Sequence, residues 1–264
     1  MRVIVTRPGL QAGKWVNALR TAGLDALALP LIEIAGPPDP EAVIAAWQRL
    51  STFDALMFVS ANAVQQFFAL QPQGLPAGDF QTRFFVTGPG SVDALLAAGV
   101  ARSQIDAPDA QAGQFDSEAL WAAVQHRVHS NWRVLIVRGN TGADAVDEAT
   151  SGQGVGRDWF ATQLSGRGAA VEFLVAYERR APRLSANALA LVQVAATDGS
   201  VWLFSSSEAV TNLCTMAAGQ SWSRARALAT HPRIASAARD AGFAVVHEAR
   251  PAMADLVASI ESLA

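Results

Sequence analysis

Cysteine is almost missing from this chain of 264 residues; Cys214 stands alone. No internal disulfide can form, and cysteine-based zinc sites are excluded. Lysine is equally scarce. Lys14 is the single lysine, so a Schiff-base mechanism would have to rest on it, in a segment that reads as a surface helix. Charged residues make up only 16% of the chain and the net charge is -3, with no basic run and no acidic tail. Nothing in that balance calls for a nucleic acid or a membrane surface as partner. No apolar run reaches the roughly 18 residues that span a bilayer. The segment Met1 to Pro8 enters a strand-like pattern without the features of a signal peptide, so the cytoplasm is the expected compartment.

Phosphate-binding loops are missing as well. There is no G-x-x-x-x-G-K-[ST], and Gly88-Pro-Gly90 is followed by Asp93 where a dinucleotide loop would carry its third glycine. Gly152, Gly154 and Gly156 also miss that spacing. His126 and His129 fall one helical turn apart, yet no cysteine or acidic third ligand stands near them. Cys214 lies in a helical stretch with no base partner, which suits a small core residue better than a nucleophile. The expectation is a protein with neither metal nor organic cofactor.

What is present is alternation. Short apolar runs alternate with Ala-rich helical stretches, the pattern of an α/β protein with parallel strands. Strands are expected at Arg2 to Thr6, Ala55 to Val59 and Phe84 to Val86. Helices are expected at Leu10 to Ala22, Ala61 to Leu70 and Ser91 to Ala98, the first and last closed by Gly23 and Gly99. Leu24 to Ile34 reads as one extended run interrupted by Pro30.

The second half repeats the first. Arg2-Val-Ile-Val-Thr-Arg7 matches Arg133-Val-Leu-Ile-Val-Arg138, and Leu29 to Glu33 matches Leu174 to Glu178. Phe58-Val-Ser-Ala-Asn-Ala-Val64 matches Phe204-Ser-Ser-Ser-Glu-Ala-Val210, and Arg83 to Gly99 matches Arg226 to Gly242. The second half carries extra residues around Ser151-Gly-Gln-Gly-Val-Gly156, which read as a mobile loop. Two similar α/β units make a cleft, and ligands of open parallel sheets sit beyond the C-terminal ends of the strands.

At those ends the first strand of each unit closes on the same residue, Arg7 and Arg138. A repeated arginine suits carboxylate or phosphate, and equally suits an internal pair with a glutamate or with helix carbonyls. Ser60-Ala-Asn62 and Ser205-Ser-Ser207 follow the third strand of each unit. Such residues cap the next helix, and the same helix starts offer backbone N–H groups to an anion. Gly88-Pro-Gly90-Ser91 opens a further helix. Tyr177 is the only tyrosine and its repeat partner is Ile32. It either packs with its hydroxyl in solvent or aims that hydroxyl into the cleft.

These pieces, in this order, resemble the uroporphyrinogen-III synthase family. The matching segments are Val5-Thr-Arg-Pro8, Pro30-Leu-Ile-Glu-Ile34, Phe53 to Val64, Val134-Leu-Ile-Val-Arg-Gly139, Val175-Ala-Tyr-Glu-Arg179 and Val201-Trp-Leu-Phe-Ser-Ser-Ser207. The resemblance implies two flavodoxin-like α/β lobes joined by two extended crossing segments, near Ala35-Gly-Pro-Pro38 and Arg179-Arg-Ala-Pro182. Residues 1–36 and 181–264 would form one lobe and 37–180 the other, with a hinge at the two crossings.

It also implies a reaction, the closure of hydroxymethylbilane to uroporphyrinogen III with inversion of the last pyrrole and loss of water. The pyrroles supply their own nucleophilic carbons, so no cofactor is implied. In this resemblance Tyr177 falls on the family's candidate acid. The acetate and propionate arms would be held largely by backbone N–H groups at the helix starts, near Ser60, Asn62, Ser91, Ser205, Ser206 and Ser207, and the repeated Arg7 and Arg138, with Gly139 beside the latter, are candidates for the same arms. The implied partner is the bilane itself, with a transient hand-over from the upstream bilane-forming deaminase. One departure stands out. The family often has a small hydroxylated residue after the second unit's Gly-Pro turn, where this chain reads His231-Pro-Arg-Ile234. The rival readings are a non-enzymatic two-lobed solute-binding protein and a nucleotide-sugar transferase, the latter disfavoured by length and by the missing phosphate loop.

Overall fold

The computed structural model describes residues 1–74, 81–109, 116–141 and 155–263. The chain opens with β1 (Arg2–Val5), α1 (Gly9–Thr21) and β2 (Asp25–Ala28), then passes through β3 (Glu33–Ala35). There follow α2 (Pro40–Gln48), β4 (Ala55–Phe58), α3 (Ala61–Ala69), β5 (Arg83–Val86), α4 (Pro89–Ala97), β6 (Ile105–Asp106), α5 (Ser117–Val124), β7 (Arg133–Thr141), α6 (Val155–Gly166) and β8 (Ala170–Arg180). The last stretch holds α7 (Ala186–Ala195), β9 (Val201–Phe204), α8 (Ser207–Met216), β10 (Arg226–Ala229), α9 (Pro232–Asp240), β11 (Val245–Glu248) and α10 (Met253–Ser262).

Two compact units result. One is Met1–Glu33 with Arg180–Ala264, the other Ile34–Arg179. The first division therefore falls ahead of the 36/37 boundary read from the sequence. The cause is β3, which is hydrogen-bonded beside β8 in the second unit's sheet. The long run Leu24 to Ile34 becomes two strands, β2 and β3, because Pro30 has no N–H to extend a ladder. Past the expected crossing an unforeseen helix forms. Asp39 accepts the Ala42 N–H at 3.1 Å and Pro40 stands at the start of α2. Gly23 and Gly99 end their helices with φ of 86° and 87°, a conformation open to glycine. Of the glycine-rich stretch 151–156, residues 151–154 lie outside the described residues and Val155 and Gly156 open α6.

The first unit's sheet is five-stranded in the order β11-β10-β9-β1-β2, with parallel pairing between neighbours. The second is six-stranded, β3-β8-β7-β4-β5-β6. Without β3 the two orders are the same once β7 is matched to β1 and β4 to β9, the flavodoxin-like arrangement. The register agrees too. Val3 pairs Val201 in the first unit and Val134 pairs Ala55 in the second, at the positions the repeat equates. Arg226 pairs Val201 just as Arg83 pairs Ala55.

The central strands are apolar throughout because helices cover both faces. In the first unit Val3, Val5, Val201, Leu203 and Leu228 pack against Val16 and Leu19 of α1 and Leu256 and Ile260 of α10. On the opposite side Trp202 donates its indole N–H to the Ala195 carbonyl at 3.1 Å and meets Trp222 edge-on. In the second unit Leu56, Phe58, Phe84 and Val137 pack under α2, α3 and α4. Met57, Phe85, Val134 and Ile136 pack under α5 and α6.

Candidate active site

The structure gathers the candidate residues of each unit at the C-terminal edge of its sheet. In the second unit the decisive feature is an irregularity between β7 and β8. The strands pair from Arg133↔Ala170 to Arg138↔Val175, then resume at Gly139↔Tyr177. β8 thus holds one extra residue, Ala176. Side chains alternate along a regular strand, so Ala176 and Tyr177 would face opposite ways. The bulge cancels that alternation, and both side chains enter the same apolar cluster, with Phe58, Val64 and Phe67.

Tyr177 is therefore a member of the sheet, not a residue on a free connecting segment, and is only 5% exposed. Its ring lies over Gly139, where an added Cβ would overlap the ring carbons. Its phenol oxygen is 3.1 Å from Ser60 Oγ. The hydroxyl meets a side chain of its own unit, a partner that the sequence reading did not name. Ser60 is the N-cap of α3 and its Oγ accepts the Ala63 N–H at 3.2 Å. Asn62 is half-buried in the first turn of the same helix.

The next helix starts earlier than expected. Gly88 is the N-cap of α4 and Pro89 presets the first turn. Ser91 is buried, and its N–H donates to the Gly88 carbonyl at 3.0 Å. That N–H is thus engaged within the turn. Arg138 is half-buried with its guanidinium 4.8 Å from the Phe173 ring centroid. No described carboxylate pairs with it.

In the first unit Arg7 stands just beyond β1. Its guanidinium donates twice to Gln11 Oε1, at 3.2 and 3.0 Å, and lies 4.3 Å from the centroid of Trp15. Burial pushes its pKa down, and a guanidinium still remains charged at neutral pH. No described carboxylate neutralises it. So both repeated arginines rest over an aromatic ring. Ser205 follows β9, Ser206 is the N-cap of α8 and Ser207 its first residue. Ser206 makes no side-chain cap bond, unlike its repeat partner Ser60. At the start of α9 His231 caps instead, with Nδ1 accepting the Arg233 N–H at 3.1 Å. Ile234 is buried, as is its repeat partner Ser91, so that position faces the interior in both units.

Other expectations resolve plainly. Lys14 is exposed on α1. His126 and His129 do not share a helical turn, since α5 ends at Val124. No group of three or more His, Cys, Asp or Glu among the described residues is placed to hold a metal ion. Cys214 is half-buried in α8, and burial pushes its thiol pKa up, away from nucleophilic use.

The model of the family described as Uroporphyrinogen-III synthase HemD matches residues 13–258. This chain belongs to the uroporphyrinogen-III synthase family. A protein named Uroporphyrinogen-III synthase from Synechococcus elongatus is 29% identical over 233 residues, 84% of this chain and 77% of that one. The Porphyrin biosynthesis protein HemD of Ruminiclostridium josui is 28% identical over 137 residues, 51% of this chain. The matched stretch is 26% of that longer protein. Among solved structures, the uroporphyrinogen-III synthetase of Helicobacter pylori superposes with a TM-score of 0.60 at 16% identity, covering 100% of both chains. A mutant uroporphyrinogen III synthase from Thermus thermophilus gives 0.52 at 14% identity, covering 100% of this chain and 98% of that one. At those identities the likeness shows the fold alone. It is an α/β fold with mostly parallel sheets, shared across the uroporphyrinogen-III synthase family, whose members serve tetrapyrrole biosynthesis.

What the sequence missed is the pairing of Ser60 with Tyr177 and the reason Gly139 is a glycine. A faint signal existed for the second. The repeat partner of Gly139 is Pro8, so the two halves diverge where β7 runs on and β1 has ended.

Proposed function

We propose that this chain closes hydroxymethylbilane to uroporphyrinogen III, with Tyr177 as the proton donor. The carbon–oxygen bond of the hydroxymethyl group breaks, the phenol proton goes to the departing hydroxyl, and water leaves. The azafulvene so formed is attacked by the substituted carbon of the last ring, giving the spiro intermediate from which the inverted ring is built. The proton that the macrocycle releases on closure restores the phenol, so the enzyme returns to its starting state. No oxidant or reductant is needed.

The observation that carries this reading is the family match over residues 13–258. The local geometry supports the role of Tyr177. Its hydroxyl is fixed at the strand ends by Ser60, in an apolar wall where a proton donor is not diluted by water. Unaided, the bilane closes in the uninverted sense, so orientation is the main task. Arg7 and Arg138, each set over an aromatic ring and without a described carboxylate partner, suit the carboxylate arms. So do the starts of α3 and α8, with Asn62, Ser205, Ser206 and Ser207, where first-turn N–H groups lack intrahelical acceptors, while the Ser60 side chain serves Tyr177. Ser91, in the first turn of α4, belongs to the same set, and Gly139 gives room to the Tyr177 ring. A cytoplasmic setting and a transient hand-over from the deaminase belong to the same reading, because a free bilane is lost to unaided closure.

The deciding experiment supplies hydroxymethylbilane enzymatically and separates the ring isomers formed. Uroporphyrinogen III is expected as the main product. Only the uninverted isomer, formed at the rate seen without the protein, would overturn the assignment, and tight binding without turnover would favour a non-enzymatic binder.

A further inference from the structure

We propose that Ser60 is a positioning residue for Tyr177, whose hydroxyl donates to the phenol oxygen and so aims the phenol proton at the departing hydroxyl of the substrate. This rests on the role proposed above for Tyr177. Ser60 Oγ already accepts the Ala63 N–H at 3.2 Å. A hydroxyl has one proton and two lone pairs, so the bond to Ala63 leaves that proton to be given elsewhere. The phenol oxygen stands 3.1 Å away. With Ser60 donating, the phenol keeps its own proton for a second acceptor. As that proton departs, the bond from Ser60 strengthens, because a hydroxyl donates more strongly to a phenolate than to a phenol. The start of α3 lies behind Ser60 and adds partial positive charge in the same direction.

The pairing is not something the fold requires. In the first unit the helix after the third strand, α8, starts at Ser206 without any side-chain cap bond. There the repeat partner of Tyr177 is Ile32, which has no hydroxyl. Yet the order and register of the central strands are the same. Three separate devices converge on the phenol in the second unit alone. The extra residue Ala176 turns Tyr177 toward α3, Gly139 makes room for its ring, and Ser60 receives its hydroxyl. Convergence of that kind marks a group whose position matters to chemistry.

The test is a double-mutant cycle in the coupled assay with enzymatically supplied hydroxymethylbilane. Ser60→Ala is expected to lower kcat roughly tenfold, the loss of one hydrogen bond to a group gaining charge, with KM little changed. Ser60→Thr keeps the hydroxyl and is expected to restore most of that loss. In the Tyr177→Phe background Ser60→Ala is expected to have almost no further effect on kcat, since nothing remains to be positioned. Melting temperatures taken in parallel account for the lost helix cap, which lowers stability by the same amount in both backgrounds. Equal losses in kcat in the two backgrounds, or a rise in KM alone, would mean that Ser60 meets the substrate directly and would overturn the proposal. So would an unchanged kcat for Ser60→Ala. Full turnover by Tyr177→Phe alone is the separate result that removes the underlying reading.

Discussion

At the scale of the residue, Tyr177→Phe is the cleanest probe of the site, because it keeps the ring over Gly139 and removes only the oxygen facing Ser60. Loss of a hydrogen bond to a departing group of about 1–3 kcal/mol corresponds to roughly ten- to hundredfold in kcat. Some activity should survive, because orientation of the bilane is untouched, and the surviving product should still be the inverted isomer. Steady-state rates with isomer analysis check both points. Arg7 and Arg138 offer a different expectation. Each lies against an aromatic ring without a described carboxylate partner, so Ala at both positions should raise KM far more than it lowers the melting temperature. Unchanged kinetics for the double variant would make the pair structural. The identity of these three residues was legible in the sequence, from solitude in one case and repetition in the others. Their surroundings were not, because Gln11, Trp15 and Phe173 reach the arginines through side-chain packing that no spacing rule encodes.

At the scale of the element, the repeat equates positions that pair alike in the two sheets, Val3 with Val201 and Val134 with Ala55, since one apolar pattern folded twice meets the same constraints twice, while the order of the strands was legible only through the family resemblance. The bulge at Ala176 had no such signature. Val175, Ala176 and Tyr177 are all tolerable on either face of a covered sheet, so hydrophobicity could not say which way the ring turns. Its first unit counterpart never reveals it either, because β2 ends at Ala28 before the matching position. The bulge and Gly139 form one device, and a substitution tests it. Gly139→Ala should destabilise by about 1–3 kcal/mol through overpacking against the ring, and should displace the hydroxyl from Ser60 with loss of kcat. In a Tyr177→Ala background the ring is gone, so the same Gly139→Ala change should be nearly neutral for stability. Denaturant melts of the four proteins measure this coupling, and equal costs in both backgrounds would refute the steric account. The paired histidines failed as a helical motif for a related reason. Helix α5 stops at Val124, and Asn131 soon turns the chain with φ of 79°.

At the scale of the whole molecule, the order of the strands decides what can fold alone. The second unit is continuous from Ile34 to Arg179, and both faces of its sheet carry their own apolar cluster. The first unit is assembled from the two ends of the chain, and its central strand β9 is flanked by β1 from the N-terminal part and β10 from the C-terminal part. Residues 180–264 alone would leave β9 with one ladder of backbone groups open along Val201–Phe204, four residues that are all fully buried in the intact chain. An exposed apolar edge of that kind aggregates or unfolds. The fragment 34–179 is therefore expected to show a single cooperative melt by circular dichroism, whereas 180–264 is expected to show none and to recover one only when residues 1–33 are supplied. On the function proposed above, the continuous fragment should form no uroporphyrinogen III, because Arg7 and the serines after β9, assigned there to the carboxylate arms, are missing from it. A disordered 34–179, or a cooperatively folded 180–264, would mean that the two sheets depend on one another for stability in a way their separate cores do not indicate.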